Sequence, residues 1–224
     1  MIAVISRKPM EAAPFLKELA IQSRTGVFAP HQDGYGAAIF SKGHWLHVRE
    51  QCPVWKGSLE ALGAARGTVM LLHSRKASDK STINLTKLHP FSAPGKDAEL
   101  MFCMNGTIRK HEKLSCNAGG CGIDTEKYFD LVRRRYAAGK SLQKAVAGAV
   151  EEIEQAKADP TSLNCFLSDG RELIAYKGRI LQENVCYHTL FVHQKLGLAI
   201  VSTEPFKKNA AMWRPLEGMF RAAF

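Results

Sequence analysis

The sequence predicts an α+β protein in which mostly antiparallel sheets are flanked by helices. A short β-branched run opens the chain, four strand-like runs lie near its end, and two long helical patterns lie between them. A hydrophobic content of 46% over 224 residues is sufficient for one substantial core. No linker, repeat or low-complexity segment interrupts the pattern, so we expect residues 1–224 to form a single domain.

The N-terminal third begins with Ile2, Val4 and Ile5, whose β-branched side chains favour a buried strand. Helical spacing of apolar residues follows, and then a turn-rich stretch with several glycines leads into two short apolar runs. The predicted elements are a strand over 1–6, a helix over 10–21, strands over 37–40 and 45–48, a helix over 57–66 and a strand over 68–72.

The remainder of the chain starts with a buried strand and continues with two long helices. Asp124 is placed to cap the first of these helices, with Glu126 in its first turn. Alternating apolar runs separated by turn residues then predict strands. The predicted elements are a strand over 100–103, helices over 124–138 and 142–157, and strands over 163–167, 172–176, 185–192 and 198–201.

Composition excludes several classes of protein. No stretch approaches the roughly eighteen apolar residues of a membrane span, and the N-terminus lacks the apolar region of a secretory signal. We therefore expect a soluble, cytoplasmic protein without a membrane partner. The six cysteines are then expected to be free thiols. Cys116 and Cys121 lack a second pair of ligands, so neither a metal nor a cofactor is expected.

The net charge of +10 would favour a polyanion if the charges were clustered. The densest run, Arg133 to Arg135, lies within a helical pattern and is typical of a solvated helix face. No nucleic-acid motif accompanies it, so a nucleic-acid partner is not expected.

Two polar clusters follow predicted strands or turns. The glycines of Pro30–Gly36 allow close approach of the backbone to a ligand, although the pattern taken alone slightly favours a hairpin entry. His73 and Arg75 come just after a buried strand, where the guanidinium suits a carboxylate or a structural salt bridge.

Two further clusters carry polar groups of a different kind. Asn105 and Gly106 offer an amide and a backbone N–H to a developing oxyanion, and Asn-Gly is also an ordinary turn. Asp124 is suited to bind an ammonium group, although its position taken alone favours a plain helix cap.

Taken in order, these clusters resemble the class-II glutamine amidotransferases, which are N-terminal-nucleophile hydrolases. The resemblance spans nearly the whole chain. The matching segments are Pro30–Gly36, His73–Ser78, His89–Phe91, Met104–Gly106, Ile123–Glu126, Ser168–Gly170 and Thr203–Pro205.

The resemblance implies an αββα sandwich of two mostly antiparallel sheets, and it also implies roles for individual residues. Arg75 would hold the α-carboxylate of glutamine and Asp124 its α-ammonium group. Asn105 and the Gly106 N–H would form the oxyanion hole. His73 and Gly34 would complete the substrate-binding site.

The sequence departs from the family at the nucleophile. In the family a cysteine follows the initiator methionine and its freed α-amine is the base, whereas Ile2 stands at that position here. Met104 and Ile123 replace the family's His and Thr beside the Asn-Gly and Asp positions. Cys103 is expected to pack in the core rather than to replace the nucleophile.

Three hypotheses about function follow. The first is an amidotransferase-like domain that binds glutamine or a related amino acid without hydrolysing it, as a sensor or beside a synthase. The second is an active glutaminase or amidotransferase subunit that uses another nucleophile or another start, and supplies ammonia to a separate synthase. The third is a structural or interaction scaffold.

Overall fold

A computed structural model describes residues 1–117, 121–178 and 187–224. Within them the helices are α1 (Ala13–Thr25), α2 (Leu59–Gly63), α3 (Asp124–Ala137) and α4 (Leu142–Gln155). The strands are β1 (Ile2–Glu11), β2 (Tyr35–Ser41), β3 (His44–Glu50), β4 (Arg66–Ser74), β5 (Phe91–Ala93), β6 (Leu100–Asn105), β7 (Asn164–Ser168), β8 (Glu172–Tyr176), β9 (Phe191–Lys195), β10 (Leu198–Ser202), β11 (Arg214–Pro215) and β12 (Met219–Ala223).

The described strands form two sheets. One has the order β11-β9-β10-β1-β4-β2-β3 and the other the order β12-β8-β7-β6-β5. Every described pair of neighbouring strands is antiparallel. β1 lies inside its sheet between β10 and β4, so the N-terminal strand is hydrogen-bonded on both sides.

Alternation along β1 shows how the layers are stacked. Ile2 and Val4 pack in the core beneath α1, whereas Met1, Ala3 and Ile5 face the second sheet. A third core lies between the second sheet and the pair α3 and α4. The result is an αββα sandwich, which confirms the fold class expected from the resemblance.

Most predicted elements are present, with shifted ends. The helix predicted over 57–66 is reduced to α2, because the chain enters β4 at Arg66. The strand predicted over 185–192 begins only at Phe191, since residues 187–190 form a turn and a coil; residues 185–186 lie outside the described residues. β5 and β11 are three and two residues long, too short to show an alternating pattern.

The structure corrects the expectation of free thiols at one place. Cys116 and Cys121 form a disulfide, because the fold places their Cα atoms 6.2 Å apart, within the range that a disulfide spans. Cys52, Cys103 and Cys165 are free, and Cys103 packs in the core between the sheets as predicted. Cys186 lies outside the described residues.

The arginine run on α3 is neutralised locally. Arg133 and Arg134 form ion pairs with Asp130, and Arg135 pairs with Glu152 of α4 at 2.5 Å. The pairs with Asp130 lie within α3, and the pair of Arg135 with Glu152 joins the two predicted neighbouring helices. No helix within residues 1–117, 121–178 and 187–224 has the length and apolar character needed to cross a membrane.

Candidate functional site

A cavity of about 540 Å³ opens at one end of the sandwich, where β1 begins, β4 and β6 end and α3 starts. Segments far apart in the sequence meet there, because antiparallel strands bring their ends to a common edge. The polar and terminal residues that line the cavity include Met1, His73, Arg75, Asn105, Gly106 and Asp124.

The cationic wall is built at the end of β4. The Arg75 N–H donates to the Gly34 carbonyl at 2.8 Å, and the Arg75 carbonyl accepts from Asp33 N–H at 3.0 Å. The guanidinium donates from Nη1 to the Thr82 carbonyl at 2.8 Å and from Nη2 to the Thr82 hydroxyl at 2.6 Å. Since a guanidinium carries five N–H groups, donors remain for an anionic ligand.

Burial shapes the electrostatics of this wall. Arg75 is 9% exposed, and desolvation lowers the pKa of its guanidinium, which nevertheless stays protonated. His73 Nε2 and His89 Nδ1 lie 3.1 Å apart, so one ring donates to the other. Burial lowers the pKa of His89 to about 3 and that of His73 as well. Both imidazoles are therefore neutral at pH 7, and the buried positive charge beside them is that of Arg75.

The anionic wall is built at the start of α3. Asp124 accepts from the Ile108 N–H at 2.7 Å through Oδ2 and from the Thr125 N–H at 2.8 Å through Oδ1. Glu126, two residues after Asp124, accepts from the Ile123 N–H at 3.2 Å. The first turn of a helix favours negative charge, which stabilises both carboxylates there.

Asn105 and Gly106 form a third part of the wall, at the end of β6. Gly106 has a φ of +152°, and a Cβ at this position would collide with the Ser162 carbonyl oxygen, so only glycine fits. The Asn105 side chain makes no hydrogen bond to another described residue, which leaves its amide able to donate to an oxygen in the cavity.

At the N-terminal end of β1, the residue that faces the cavity is not the one that the family motif places at the nucleophile position. Ile2 is fully buried in the core beneath α1 and does not line the cavity, whereas Met1 does. The Met1 α-amine donates to the Thr203 hydroxyl at 3.0 Å, and burial lowers the pKa of this amine to about 6.

The structure thus brings together five of the predicted site residues, His73, Arg75, Asn105, Gly106 and Asp124. Gly34 does not line the cavity, and its part in substrate binding stays a prediction. It has a φ of +114° and its carbonyl holds Arg75, while Leu88 closes the space where a Cβ would lie.

Sequence reasoning missed two residues that hold the charged groups of the cavity: Thr82, which lines it, and Lys87, which does not. Thr82 and Lys87 lie in a polar loop that shows no periodicity, so no signal in the sequence marked them. Met104 and Ile123, the two residues that depart from the family motifs, are both buried beside Asp124. Met104 accepts a hydrogen bond from the Thr125 hydroxyl at 3.5 Å, and Ile123 directly precedes Asp124.

Nowhere in the described ranges do three His, Cys, Asp or Glu side chains converge in a way that would hold a metal ion.

The family model for class-II glutamine amidotransferases matches residues 5–210, which is most of the chain. The chain belongs to the class-II glutamine amidotransferases. Comparison with curated protein sequences gives no match.

Solved amidotransferases share the fold. A predicted glutamine amidotransferase from Pseudomonas aeruginosa has a TM-score of 0.62 at 16% identity, covering 99% of this chain and 96% of its own. A glutamine aminotransferase class-II domain protein from Silicibacter pomeroyi has a TM-score of 0.62 at 19% identity, with 99% and 94% coverage.

A longer enzyme is also similar. The glutamine phosphoribosylpyrophosphate amidotransferase from B. subtilis, solved with ADP and GMP, has a TM-score of 0.69 at 15% identity. It is matched over 99% of this chain and 48% of its own, so the present chain spans about half of its length. At such identities these structures support the fold alone.

Proposed function

We propose that the cavity binds L-glutamine or a related α-amino acid and does not hydrolyse it through an N-terminal cysteine. The observation that carries this proposal is the meeting of Arg75 and Asp124 in one cavity. An α-amino acid is a zwitterion, and its recognition requires one cation and one anion at fixed separation. Arg75 would bind the α-carboxylate, Asp124 the α-ammonium group, and Asn105 with Gly106 the side-chain amide oxygen.

The absence of turnover is inferred from the residues at the beginning of β1. Neither the side chain of Met1, which lines the cavity, nor that of Ile2, which packs beneath α1, carries the thiol or hydroxyl that could form a covalent acyl intermediate. Cys103 is fully buried, and desolvation raises the pKa of its thiol, so it remains protonated and inert. The protein would then act as an amino-acid sensor or as a subunit beside a separate synthase.

The test is calorimetric titration of the purified protein with L-glutamine, together with an ammonia-release assay on the same sample. Binding without ammonia is the expected result. Arg75→Met should abolish measurable binding, whereas Arg24→Met, which removes an exposed arginine outside the cavity, should leave it unchanged. Ammonia release by the original protein would refute the proposal in favour of an active glutaminase, and absence of binding would favour a scaffold.

A second variant examines the missing nucleophile. Ile2→Cys, with its new N-terminus checked by mass spectrometry, restores the residue type that the family uses. Side chains alternate along a strand, and residue 2 faces α1 rather than the cavity. Ammonia release by this variant would therefore require the first residue of β1 to turn toward the cavity, and it would locate the loss of chemistry at one position.

A further inference from the structure

The segment from Ala77 to Leu88 connects the two charged walls of the cavity. It begins two residues after Arg75 and passes beside the start of α3 before the chain reaches β5. The side chains of Lys80, Thr82 and Lys87, which contact the two walls, do not belong to any predicted motif. We refer to residues 77–88 as the brace.

One end of the brace is attached to the cationic wall. Asp33 accepts from the Ala77 N–H at 2.9 Å and from Lys80 Nζ at 2.6 Å, which fixes the first turn of the brace. Thr82 then holds the guanidinium of Arg75 through both its carbonyl and its hydroxyl, at 2.8 and 2.6 Å. The orientation of Arg75 therefore depends on where the brace places Thr82.

The other end of the brace is attached to the anionic wall. Lys87 Nζ donates to both carboxylate oxygens of Glu126, each at 2.7 Å, and both side chains are only 19% exposed. The same carboxylate accepts from the N–H groups of Gly122 at 2.7 Å and Ile123 at 3.2 Å, directly before Asp124. The ion pair thus fixes the backbone that presents Asp124.

We propose that Lys87 and Glu126 are positioning residues that set the separation between Arg75 and Asp124, and so determine selectivity for a zwitterionic amino acid. This inference rests on the proposed function. Lys87 does not line the cavity, so its effect on a ligand must pass through the two walls. Holding two binding groups at the required distance before the ligand arrives lowers the cost of ordering them on binding.

The experiment compares two ligands that differ by one charge: L-glutamine, and glutaramate, which lacks the α-ammonium group. Calorimetry is performed on the original protein, Lys87→Met, Glu126→Gln and Lys87→Arg. In Lys87→Met and Glu126→Gln we expect L-glutamine to bind about tenfold more weakly, while glutaramate, which needs Arg75 but not Asp124, changes far less. Lys87→Arg keeps the cation and should restore most of the selectivity.

The matched control is Arg171→Met, which removes an ion pair with Asp97 whose side chains are 71% and 62% exposed. It should leave the affinity for both ligands unchanged. An equal loss of affinity for both ligands in Lys87→Met would indicate a general structural role and overturn the proposal, as would unchanged affinity for L-glutamine.

A measurement without ligand separates this inference from the proposed function. The Ile108 amide donates to Asp124, so amide hydrogen exchange at Ile108 reports how firmly that carboxylate is held. We expect exchange at Ile108 to be about tenfold faster in Lys87→Met and unchanged in Arg171→Met. Failure of the original protein to bind L-glutamine would refute the proposed function, whereas unchanged exchange at Ile108 would refute the role of the brace.

Discussion

The two charged walls of the cavity are held by different kinds of structure. Arg75 follows β4, a strand that is hydrogen-bonded on one side to β1 and on the other to β2. Asp124 is the first residue of α3 and is reached by a loop that is tied back by a disulfide and an ion pair. The backbone of Arg75 is therefore placed by sheet register and only its guanidinium depends on Thr82, whereas the backbone before Asp124 depends on side-chain contacts. The two walls should respond differently to the same perturbation.

The largest effect is expected from Gly106→Ala. The new Cβ would collide with the Ser162 carbonyl in a backbone conformation that favours glycine, so we expect a loss of about 3 kcal/mol or more in the free energy of unfolding. Urea unfolding measures it. Gly139→Ala is the control, because Gly139 has a φ of +86° but open space around it, and it should cost only about 1 kcal/mol. Equal losses of unfolding free energy in the two variants would show that the backbone around residue 106 shifts to accommodate the new Cβ.

Lowering the pH should reduce the free energy of unfolding, because the histidines buried beside the cationic wall are neutral in the folded protein. The pKa of His89 is lowered to about 3 in the folded protein, so the unfolded chain binds the proton first as the pH falls below about 6.5. The contribution of each such histidine to the free energy of unfolding is therefore fully present above pH 6.5. It declines by about 1.4 kcal/mol per pH unit as the pH falls from 6.5 toward 3.

The variant His89→Gln isolates this contribution. Between pH 7.5 and pH 5 its free energy of unfolding should fall by about 2 kcal/mol less than that of the original protein. Urea unfolding at both pH values provides the measurement, and His44→Gln, an exposed histidine on β3, serves as the control. An unchanged dependence on pH in His89→Gln would contradict the assignment.

Reduction should weaken the anionic wall selectively. The bond between Cys116 and Cys121 closes a short loop, so opening it should cost about 1–2 kcal/mol of stability. Unfolding with and without dithiothreitol measures this loss, and the double variant Cys116→Ser, Cys121→Ser should no longer respond to the reductant. A response that persists in the double variant would have to come from another cysteine.

The smallest change in unfolding free energy is expected from removing an exposed ion pair, and it is compared with the removal of a partly buried one. Arg171→Met removes the exposed pair with Asp97 and should change the free energy of unfolding by less than about 0.5 kcal/mol. Lys87→Met leaves the Glu126 carboxylate partly buried without its cation and should cost about 1–2 kcal/mol. Urea unfolding compares the two, and equal values would mean that the brace adds nothing to the stability of the anionic wall.

Local pattern predicted much of the fold. Strands such as β1, β4 and β6 carry dense apolar side chains, and α3 and α4 have full helical periodicity, so their positions can be read from neighbouring residues alone. β5 and β11 could not be predicted in this way, because strands of three and two residues form only where a longer partner is already in place.

The sequence by itself determined the types of residue available for the site: a guanidinium, a carboxylate and an Asn-Gly turn in the order typical of class-II amidotransferases. Only the tertiary structure decided which of them meet. Side-chain alternation in β1 turns Ile2 away from the cavity and Met1 toward it, and the Gly34 carbonyl holds Arg75 from outside the cavity. Lys87 reaches Glu126 across 39 residues of chain, and contacts of this range follow from folding as a whole and leave no local pattern in the sequence.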